Sequence, residues 1–451
     1  MTDVSPASTA LQRLPHAEGA PKAATTPISP VGVGMIGMGT VGRGVYKILS
    51  QRSEIDFRRI AVRDLDKNRG VEGLDSRLLC DDPLSVVRDP EAQVLIEVMG
   101  GVDLARELIV EAIRNGKHVI TANKELIAKE GQALFELAQA HHVRLMFEGA
   151  VAGGIPIIMP LKLSLAANHI LEIAGILNGT TNYILTKMAN EGWSYETALE
   201  KAQEKGFAEA DPTNDVEGHD TAYKISILSS IAFKKRIDVA RVAREGISRL
   251  TATDIQLADS LGYVIKLIGL CRQGLDPQGP LDVRVHPTLV LKDHPLASIH
   301  NENNAVWIKG DAVGDVMFYG RGAGELPTAS AVCADVLAIT DNLVKGNDPI
   351  PSMEIIYHGD ALMAPAGEAR NRYFVRLRTH DTPGVIGNIG TACGECGVSI
   401  ESIVQHGIHE DGTASIVLIT HIQSESQMQD ALTRILAYPS VDSVACLLRI
   451  L

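Results

Sequence analysis

Near its N-terminus the chain reads Val31-Gly-Val-Gly-Met-Ile36-Gly37-Met-Gly39-Thr-Val-Gly42, an apolar run that ends in Gly-x-Gly-x-x-Gly. The run has the length of a buried strand, and the apolar residues after it have helical spacing. Glycines at a strand-to-helix turn let backbone N–H groups approach a pyrophosphate. The stretch therefore predicts a Rossmann-type dinucleotide site, with a glycine-rich turn that binds nothing as the alternative. The expected cofactor contacts are Gly37, Met38, Gly39, Thr40, Val41 and Gly42.

Size and composition indicate a multidomain α/β protein. A chain of 451 residues is too long to fold around one compact core. Its fractions of hydrophobic residues, 45%, and charged residues, 22%, are ordinary for a globular protein. The low aromatic fraction of 4% fits aliphatic parallel strands that are buried on both faces. The net charge is −13, without a basic block that could follow a phosphate backbone, which argues against nucleic acid as a partner.

The termini and the cysteines bear on the compartment. Residues 1–30 hold prolines among alanines, serines and threonines, and we expect a disordered tail. No apolar run is long enough for a signal core or a membrane span, so we expect no membrane partner. Six scattered cysteines are typical of a reducing cytoplasm. Cys393-Gly-Glu-Cys396 alone would suggest a redox pair or half a zinc site, but no second ligand pair accompanies it and we interpret it as structural.

The second strand of the sheet is expected at 59–62, where it runs into Arg63-Asp64, with Lys67 close behind. This end of a Rossmann sheet meets the adenosine ribose, where an acid accepts from a 2′-OH and an arginine pairs with a 2′-phosphate. Because both residue types are present, NADP is favoured and NAD stays possible. Arg63 and Lys67 are the expected contacts, and a solvated basic loop is the alternative.

Two further apolar strands, 94–99 and 117–121, end where ligands bind in open parallel sheets. The first ends at Met99-Gly100, and the second is followed by Asn123-Lys124. We expect Met99, Gly100 and Lys124 at the cofactor crevice, although a lone lysine after a strand is more often structural.

The stretch from Ala202 to Lys224 contains several acids and a lysine around an Asp-Pro turn. Apolar periodicity predicts a helix that opens near Val216, on which Asp220 and Lys224 stand one turn apart. The carboxylate would keep the ammonium charged, whereas burial would lower its pKa toward that of a working proton donor.

Glu209 and Asp215 lie in the loop that leads into this helix. Two acids that face one cation are suited to the ammonium group of an amino-acid-like ligand. The alternative is an exposed helix start, with acids favoured by the helix dipole and an ordinary ion pair.

The spacing Ala-x3-Gly-Phe-Ala-x2-Asp-Pro-x2-Asp-Val-x-Gly-x-Asp-x3-Lys resembles the signature of homoserine dehydrogenases over its whole length. The resemblance implies that Glu209, Asp215 and Asp220 serve the substrate and that Lys224 is the proton donor. It also implies an active-site role for Lys124, which stands in an Asn-Lys context. Two neighbouring ammonium groups would lower one another's pKa, and which lysine donates stays open.

Leu177-Asn178-Gly179-Thr180 is similar to a family segment near the substrate, which implies a binding role for Asn178, Gly179 and Thr180. We expect the helix after this segment to begin near Tyr183, with Asn182 as its N-cap.

Glu148 is followed by a turn, 149–156, whose carbonyls cannot all be paired by regular structure. A carboxylate and several free carbonyls suit a hard cation, although from the residues alone a plain loop is favoured. The family resemblance implies a sodium or potassium site formed by Glu148, Val151, Gly153 and Ile155.

Two glycine-containing turns lie further along the chain. The first, 320–324, precedes an alanine-rich helix. It is similar to the turn by which the chain returns to the nucleotide domain in this family, which implies that Gly324 contacts the cofactor. An ordinary loop is the alternative. The second is Asp381-x-Pro-Gly-Val385, within a βαββαβ order that starts at Tyr373 and resembles an ACT domain. ACT domains bind small amino acids between copies, which implies an effector such as threonine and a homodimer or homotetramer.

The expected fold is α/β in three domains. A Rossmann domain at 31–150 is completed by about 321–345, and an α+β substrate-binding and dimerisation domain occupies 151–320. A linker at 346–370 precedes a ferredoxin-like ACT domain at 371–451.

The implied activity is NAD(P)H-dependent reduction of L-aspartate 4-semialdehyde to L-homoserine and its reverse, in threonine, methionine and isoleucine biosynthesis, with feedback by an amino acid. The alternatives are a dehydrogenase of another amino-acid aldehyde and a nucleotide-binding amino-acid sensor without turnover.

Overall fold

A computed structural model describes residues 29–274, 276–346, 355–408 and 412–451. Most of the tail expected at 1–30, and residues 347–354 of the expected linker, lie outside the described residues. The strands form a six-stranded and an eleven-stranded sheet. No helix in the described ranges is long and apolar enough to cross a membrane.

The six-stranded sheet is parallel throughout. Its strands are β1 (Val31–Ile36), β2 (Ile55–Ala61), β3 (Leu79–Cys80), β4 (Val94–Glu97), β5 (His118–Thr121) and β6 (Leu145–Met146). The order β3-β2-β1-β4-β5-β6 is that of a Rossmann fold. Every residue of β1 and β4 is buried, as expected of parallel strands with both faces covered.

The helices of this domain are α1 (Thr40–Leu49), α2 (Pro83–Val87), α3 (Asp103–Arg114) and α4 (Lys124–Ala140), to which the chain later adds α10 (Glu325–Val344). Helix α10 packs closely on α1, because a Cβ added to Gly44 would lie 2.6 Å from the carbonyl oxygen of Glu325. The Glu325 carboxylate also pairs with Arg43 and Lys47 at 2.9 and 2.5 Å. The returning helix is therefore part of the nucleotide-domain core.

The central domain supplies β7 (Ile170–Ile176), β9 (Tyr263–Gln273), β10 (Leu281–Leu291), β11 (Asn303–Gly310) and β12 (Gly314–Arg321), which pair antiparallel. The short β8 (Ala243–Arg244) runs parallel to β10. Its helices are α5 (Gly179–Glu191), α6 (Tyr195–Glu204), α7 (Thr213–Val216), α8 (His219–Phe233) and α9 (Ala252–Ser260). Helices α5 and α8 both contact β9, and their N-terminal ends carry the residues of the candidate site.

Two helix starts differ from the sequence-based expectation. Helix α5 begins at Gly179 and not near Tyr183, because Asn178 is the N-cap and its Oδ1 accepts from the Thr181 N–H at 2.8 Å. Asn182, the expected cap, is buried inside the helix. The helix expected near Val216 is divided, because Gly218 adopts a positive φ of 79° and α8 begins after it.

The C-terminal domain, where an ACT fold is expected, consists of β13 (Arg370–His380), α11 (Val385–Glu395), β14 (Ile400–Ile408), β15 (Thr413–Thr420), the short β16 (Gln423–Ser424), α12 (Glu425–Leu436) and β17 (Val441–Ile450). Apart from β16, this is the expected βαββαβ order. Strand β17 also pairs with β10 in parallel, so the ACT sheet continues the central sheet. Cys393 and Cys396 are free thiols, and burial in the domain core raises the pKa of Cys393 to about 11.

Candidate active site

The three glycines of the turn after β1 occupy different environments. A Cβ added to Gly42 would lie 2.2 Å from the Gly37 carbonyl oxygen, and Gly37 itself has a φ of 99°. Gly39 has an ordinary φ of −79°, and a Cβ added there would have no atom of the described residues within 4 Å, apart from its chain neighbours. The space beside Gly39 adjoins the N-terminus of α1, which has no side-chain cap. It therefore suits a pyrophosphate, whose oxygens can accept from the free N–H groups.

In the loop after β2, the Asp64 carboxylate is bound by backbone N–H groups, whereas Arg63 and Lys67 are exposed. Asp64 Oδ1 accepts from the backbone N–H groups of Asp66 and Lys67 at 3.0 and 3.2 Å. The buried Arg69 donates to the carbonyls of Asp64 and Lys67 and fixes the loop. Arg63 and Lys67 are exposed at the end of the strand. The loop thus exposes two cations at the end of the sheet where the ribose of a dinucleotide is expected.

Glu97, at the carboxyl end of β4, was not singled out as a site residue from the sequence. Its Oε1 accepts from the Met99 N–H at 2.9 Å and its Oε2 from Thr121 Oγ1 at 2.6 Å. Burial raises the pKa of this carboxyl group. Glu97 thereby fixes the ends of β4 and β5, from which Met99, Gly100 and Lys124 emerge. An acid inside an otherwise apolar strand was the signal that could have identified it.

Lys124 is held at the first turn of α4 by its neighbour. Asn123 caps the helix, because its Oδ1 accepts from the Leu126 N–H at 3.1 Å. Its Nδ2 donates to the Gly101 carbonyl at 2.5 Å, which joins the helix start to the loop after β4. The side chain of Lys124 extends from this corner of the nucleotide domain to the central domain.

The centre of the site is a carboxylate between two ammonium groups. Asp220 is buried, with Oδ1 lying 2.7 Å from Lys124 Nζ and Oδ2 2.7 Å from Lys224 Nζ. Burial opposes ionisation of Asp220, but the two lysines outweigh burial and lower its pKa. The expected pair of Asp220 and Lys224 is thus present on α8, and Lys124 joins it from the other domain.

The pKa values of the two lysines are shifted in opposite directions. Lys224 is 8% exposed, and burial lowers its pKa although Asp220 opposes the shift; Lys124 contributes to the lowering. The Asp220 charge raises the pKa of Lys124 and outweighs desolvation there. The expectation that each ammonium lowers the pKa of the other therefore describes Lys224 and fails for Lys124, because the shared carboxylate dominates at the more exposed lysine.

Asn178 joins the second acid to this cluster. Its Nδ2 donates to Asp215 Oδ1 at 2.7 Å and to Asp220 Oδ2 at 2.9 Å. Burial, and then the charge of Asp220, raise the pKa of Asp215. The Leu177 carbonyl accepts from Lys224 Nζ at 2.7 Å. The segment before α5 therefore positions both carboxylates and the lysine.

Glu209 is not part of this hydrogen-bonded cluster. It is exposed, and its carboxylate forms no hydrogen bond or ion pair with the residues that the structure describes. Its backbone is held, since the Glu209 carbonyl accepts from Gln203 Nε2 at 3.0 Å. Thr180 Oγ1 donates to the nearby Phe207 carbonyl at 2.7 Å and joins α5 to the same loop. Of the four residues expected together on this segment, Asp215, Asp220 and Lys224 are joined by hydrogen bonds, and Glu209 lies at the edge of the site.

In the turn where a cation site is expected, backbone donors bind the Glu148 carboxylate. The Glu148 carboxylate accepts from three consecutive N–H groups, those of Ile157, Ile158 and Met159, at 2.6, 2.8 and 3.0 Å. These donors occupy three of the roughly four acceptor positions of the carboxylate, so the nearby backbone carbonyls are the main oxygens left for a cation. Within the described ranges, no group of three His, Cys, Asp or Glu side chains could hold a metal.

The same turn lies against the loop that returns the chain to the nucleotide domain. A Cβ added to Gly153, whose φ is 55°, would lie 2.4 Å from the Gly322 carbonyl oxygen. Gly324, at the N-cap of α10, has a φ of 125°. The backbones are therefore in close contact at this point, where a side chain would separate them.

Family models match nearly the whole described chain. A model described as "Homoserine dehydrogenase" matches residues 156–337, and one described as "Homoserine dehydrogenase, NAD binding domain" matches residues 37–148. A model described as "ACT domain" matches residues 373–439.

Individual relatives agree with these matches. A homoserine dehydrogenase of Synechocystis sp. is 44% identical over 434 residues, which cover 93% of this chain and 99% of that protein. The crystal structure of a homoserine dehydrogenase from Thiobacillus denitrificans is 41% identical, with a TM-score of 0.87 over 94% of this chain and 98% of that one. A hyperthermophilic archaeal homoserine dehydrogenase in complex with NADPH is 28% identical, with a TM-score of 0.59 over 69% of this chain and 98% of that one.

Proposed function

The chain belongs to the homoserine dehydrogenase family and is an oxidoreductase that acts on a CH–OH group, and from that premise we propose that it interconverts L-aspartate 4-semialdehyde and L-homoserine with NADP(H). The observation that carries the proposal is the cluster of Lys124, Asp220 and Lys224. It places a buried lysine of lowered pKa at the junction of the nucleotide and central domains. The reaction would serve threonine, methionine and isoleucine biosynthesis.

Lys224 is the proposed proton donor to the substrate carbonyl oxygen. A bound nicotinamide would supply the hydride to the carbonyl carbon, or accept it in the reverse direction. Lys224 has three N–H donors, of which two are engaged by Asp220 Oδ2 and the Leu177 carbonyl at 2.7 Å each. The third is free for the substrate. A lowered pKa favours transfer of this proton as negative charge develops on the oxygen.

Lys124 has a different proposed role. Its pKa is raised by Asp220, so it keeps its proton more firmly than Lys224 does. A fixed positive charge stabilises the developing oxyanion without giving up a proton. This difference favours Lys224 over Lys124 as the donor.

The substrate's amino-acid end would be held by Asp215 and the start of α5. Asn178 engages one oxygen of Asp215, which leaves the other for the substrate ammonium, and Glu209 at the edge of the site would assist. The N–H groups of Gly179 and Thr180, at the N-terminus of α5, suit the substrate carboxylate. Such fixation at both ends orients the reacting carbon, an effect that can contribute about 7–11 kcal/mol at its best.

The preference for NADP is proposed from the loop after β2. Asp64 is engaged by its own loop, whereas Arg63 and Lys67 are exposed and suited to a 2′-phosphate. The archaeal relative solved with NADPH supports this choice. Arg63→Ala should raise KM for NADP about tenfold and leave KM for NAD nearly unchanged, because one charge-assisted contact is lost. Equal changes for both cofactors would contradict the assignment.

A monovalent cation, sodium or potassium, is proposed at the backbone carbonyls of Glu148, Val151, Gly153 and Ile155. The hydrogen bonds of the turn use the carbonyls of Phe147 and Ala152, which accept from Ala150 and Ile155. The proposed ligands are therefore main-chain oxygens, which suit a hard cation. An activity that is the same in sodium, potassium and choline chloride would contradict this site.

The remaining proposals concern regulation and assembly. The ACT domain is proposed to bind an amino-acid effector such as threonine, and the chain is proposed to form a homodimer or homotetramer. A cytoplasmic location is proposed because all six cysteines are free. Light scattering with and without threonine tests the assembly and its response to the effector.

The decisive assay follows NADPH absorbance with purified protein, homoserine and either NADP or NAD. Wild type should reduce the cofactor, and Lys224→Ala should lose at least about 10²-fold in kcat, as expected for a general acid–base residue. Lys129→Ala is the matched control, since Lys129 lies on α4, is exposed and pairs with Glu125 at 2.5 Å. No reduction by wild type would contradict the dehydrogenase and favour an amino-acid sensor. Reduction with another amino-acid alcohol but not homoserine would identify a different substrate.

A further inference from the structure

The last strand carries an arginine that extends out of the ACT domain. Arg449 Nη2 donates to Glu425 Oε1 at 2.8 Å within that domain, and Arg449 Nη1 donates to Glu245 Oε2 at 2.6 Å in the central domain. The Glu425 carboxylate also accepts from Tyr373 Oη at 2.9 Å. Arg449 has a side chain only 14% exposed, so its position is well defined between the two carboxylates.

Glu245 begins a segment, residues 245–248, that is in close contact with the turn between α7 and α8. The Ile247 N–H donates to the Val216 carbonyl at 2.8 Å, and Ser248 Oγ donates to Glu217 Oε1 at 2.6 Å. A Cβ added to Gly246 would lie 2.4 Å from the same Val216 carbonyl oxygen. The segment and the turn therefore touch backbone to backbone, and one cannot shift without the other.

The turn of residues 216–218 stands between the two site acids. Asp215 precedes it in α7, and Asp220 follows it in the first turn of α8. The Asn178 amide engages one oxygen of each acid. The separation and orientation of the two carboxylates thus depend on where this turn lies.

We infer that Arg449 is a positioning residue for the substrate acids, acting through Glu245 and the 245–248 segment on the turn that places Asp215 beside Asp220. The inference rests on the proposed homoserine dehydrogenase reaction. It connects the ACT domain to the substrate site through the Arg449–Glu245 ion pair and the contacts of residues 246–248 with the turn. Any effector that displaces β17 would then alter the binding of homoserine.

The geometry also specifies which kinetic constant responds. Asp215 is proposed to hold the substrate ammonium, whereas Lys224 and Asp220 lie on the same helix, α8, so their contact at 2.7 Å is kept when that helix shifts, and the Leu177 carbonyl holds Lys224 at 2.7 Å as well. Loss of the Arg449–Glu245 pair should therefore weaken homoserine binding and leave proton transfer unchanged. A contact of this kind typically changes the affinity at a coupled site roughly three- to tenfold.

The ACT domain offers a matched control on the same sheet. Arg376 of β13 also reaches the central domain, and its Nε donates to Asp254 Oδ1 at 2.8 Å. Its side chain is 13% exposed, which is close to that of Arg449. Asp254 belongs to the capping box of α9, so this ion pair ends on a different element and not on the turn of residues 216–218.

The test compares full-length Glu245→Gln, Arg449→Gln, the double variant and Arg376→Gln in homoserine oxidation with NADP. The first two should raise KM for homoserine roughly three- to tenfold, with kcat within about twofold and KM for NADP unchanged. The double variant should be no worse than the more affected single variant, since both remove the same contact. Arg376→Gln should leave KM for homoserine unchanged even where its Tm falls.

An unchanged KM in both Glu245→Gln and Arg449→Gln would overturn the inference. An equal rise in Arg376→Gln would overturn it as well, because general loosening of the domain contact would then explain the effect. If Arg449→Gln does not fold, Glu245→Gln decides alone, since the Glu245 side chain is 45% exposed and its loss is tolerable. A wild-type protein that does not reduce NADP with homoserine would contradict the proposed function instead.

Discussion

Asp220 interacts with two lysines, and their positions in the sequence are very different. Lys224 lies one helical turn away on α8, whereas Lys124 comes from the start of α4 in the nucleotide domain. Both Nζ atoms lie 2.7 Å from an oxygen of the same carboxylate. One negative charge therefore raises the pKa of Lys124 and opposes the lowering of the Lys224 pKa that burial causes.

Replacing this charge should change the pH dependence of the reaction. Homoserine oxidation needs a neutral amine as base, so its rate rises with pH through the pKa of Lys224, and aldehyde reduction falls over the same range. In Asp220→Asn the carboxylate that raises this pKa is lost, while the Lys124 charge that lowers it remains. The midpoint of the oxidation profile should move to lower pH by about one unit or more.

The measurement is kcat against pH for wild type, Asp220→Asn and Asp259→Asn, an exposed aspartate on α9 that serves as the control. Thermal melting confirms that each variant is folded. A midpoint that stays in place, or that moves to higher pH, would show that Lys224 is not the group that titrates.

At the scale of elements, two glycines of the turn after β1 are needed for different reasons, although both are simply glycines in the Gly-x-Gly-x-x-Gly motif. A Cβ at Gly42 would lie 2.2 Å from the Gly37 carbonyl oxygen, whereas among the described residues, chain neighbours aside, no atom lies within 4 Å of a Cβ at Gly39. The first restriction comes from packing between strand and helix. The open space at the second position leaves room for the pyrophosphate proposed there.

Gly39→Ala should therefore fold normally and bind NADPH poorly. Its φ of −79° is allowed for alanine, so the free energy of unfolding should change by less than about 0.5 kcal/mol, while Kd for NADPH rises at least about tenfold. Gly42→Ala should lose about 1–3 kcal/mol of stability, because the turn must open to admit the methyl group. Denaturant unfolding and fluorescence titration measure the two quantities. Tight NADPH binding by Gly39→Ala would argue against a pyrophosphate at this position.

The N-caps of α5 and α6 form another informative pair. Asn178 accepts from the Thr181 N–H at 2.8 Å and Ser194 from the Thr197 N–H at 3.2 Å, so both caps stabilise a helix in the same way. Only Asn178 also donates to the two site acids. Alanine at either position should cost about 0.5–2 kcal/mol of stability.

Kinetics should distinguish these two variants. Asn178→Ala should raise KM for homoserine, because Asp215 and Asp220 lose the amide that bridges them, whereas Ser194→Ala should leave it unchanged. Steady-state assays at one saturating NADP concentration test this difference. Equal KM values in the two variants would mean that Asn178 serves as a helix cap alone.

At the scale of the whole molecule, folding creates buried groups that titrate far from their ordinary range. His118, in β5, is 7% exposed, and its Nδ1 accepts from the Arg144 N–H at 3.0 Å. Burial, together with the neighbouring Arg144 charge, lowers the pKa of His118 to about 4. The histidine is therefore neutral in the native state over a range in which the unfolded chain binds a proton.

The native state should consequently lose stability in acid through this residue. Its contribution is complete above the unfolded pKa of about 6.5 and is lost as pH falls toward about 4, with a total of up to about 3 kcal/mol. His118→Asn keeps an acceptor for Arg144 and removes the titration. The stability difference between wild type and this variant should shrink as pH falls from 7 to 4, as measured by urea unfolding at each pH. A difference that does not vary with pH would contradict the lowered pKa.

Much of the fold was open to prediction because its signals are local. The βα turn at 37–42, the βαββαβ order of the ACT domain and the spacing of Asp220 and Lys224 each depend on residues close together in the chain. The start of α5 was predicted wrongly, since Asn178 and Asn182 are equally good caps by type. Tertiary packing decides which of the two is the cap, because Asn182 lies inside the helix, where its Nδ2 donates to the carbonyls of Asn301 and Asn303 at 2.9 and 3.1 Å.

Periodicity and residue spacing were sufficient to establish a nucleotide domain, the family signature and an ion pair on α8, since these follow from strand and helix geometry along one stretch of chain. They placed Lys124 after a strand at the crevice but did not pair it with Asp220. They contained no information on the Glu148 carboxylate turning to the N–H groups of 157–159, or on Arg449 reaching Glu245 across 204 residues of sequence. Such contacts arise only when separate elements pack together, because partners distant in sequence become neighbours through the topology of the sheets and not through any local pattern.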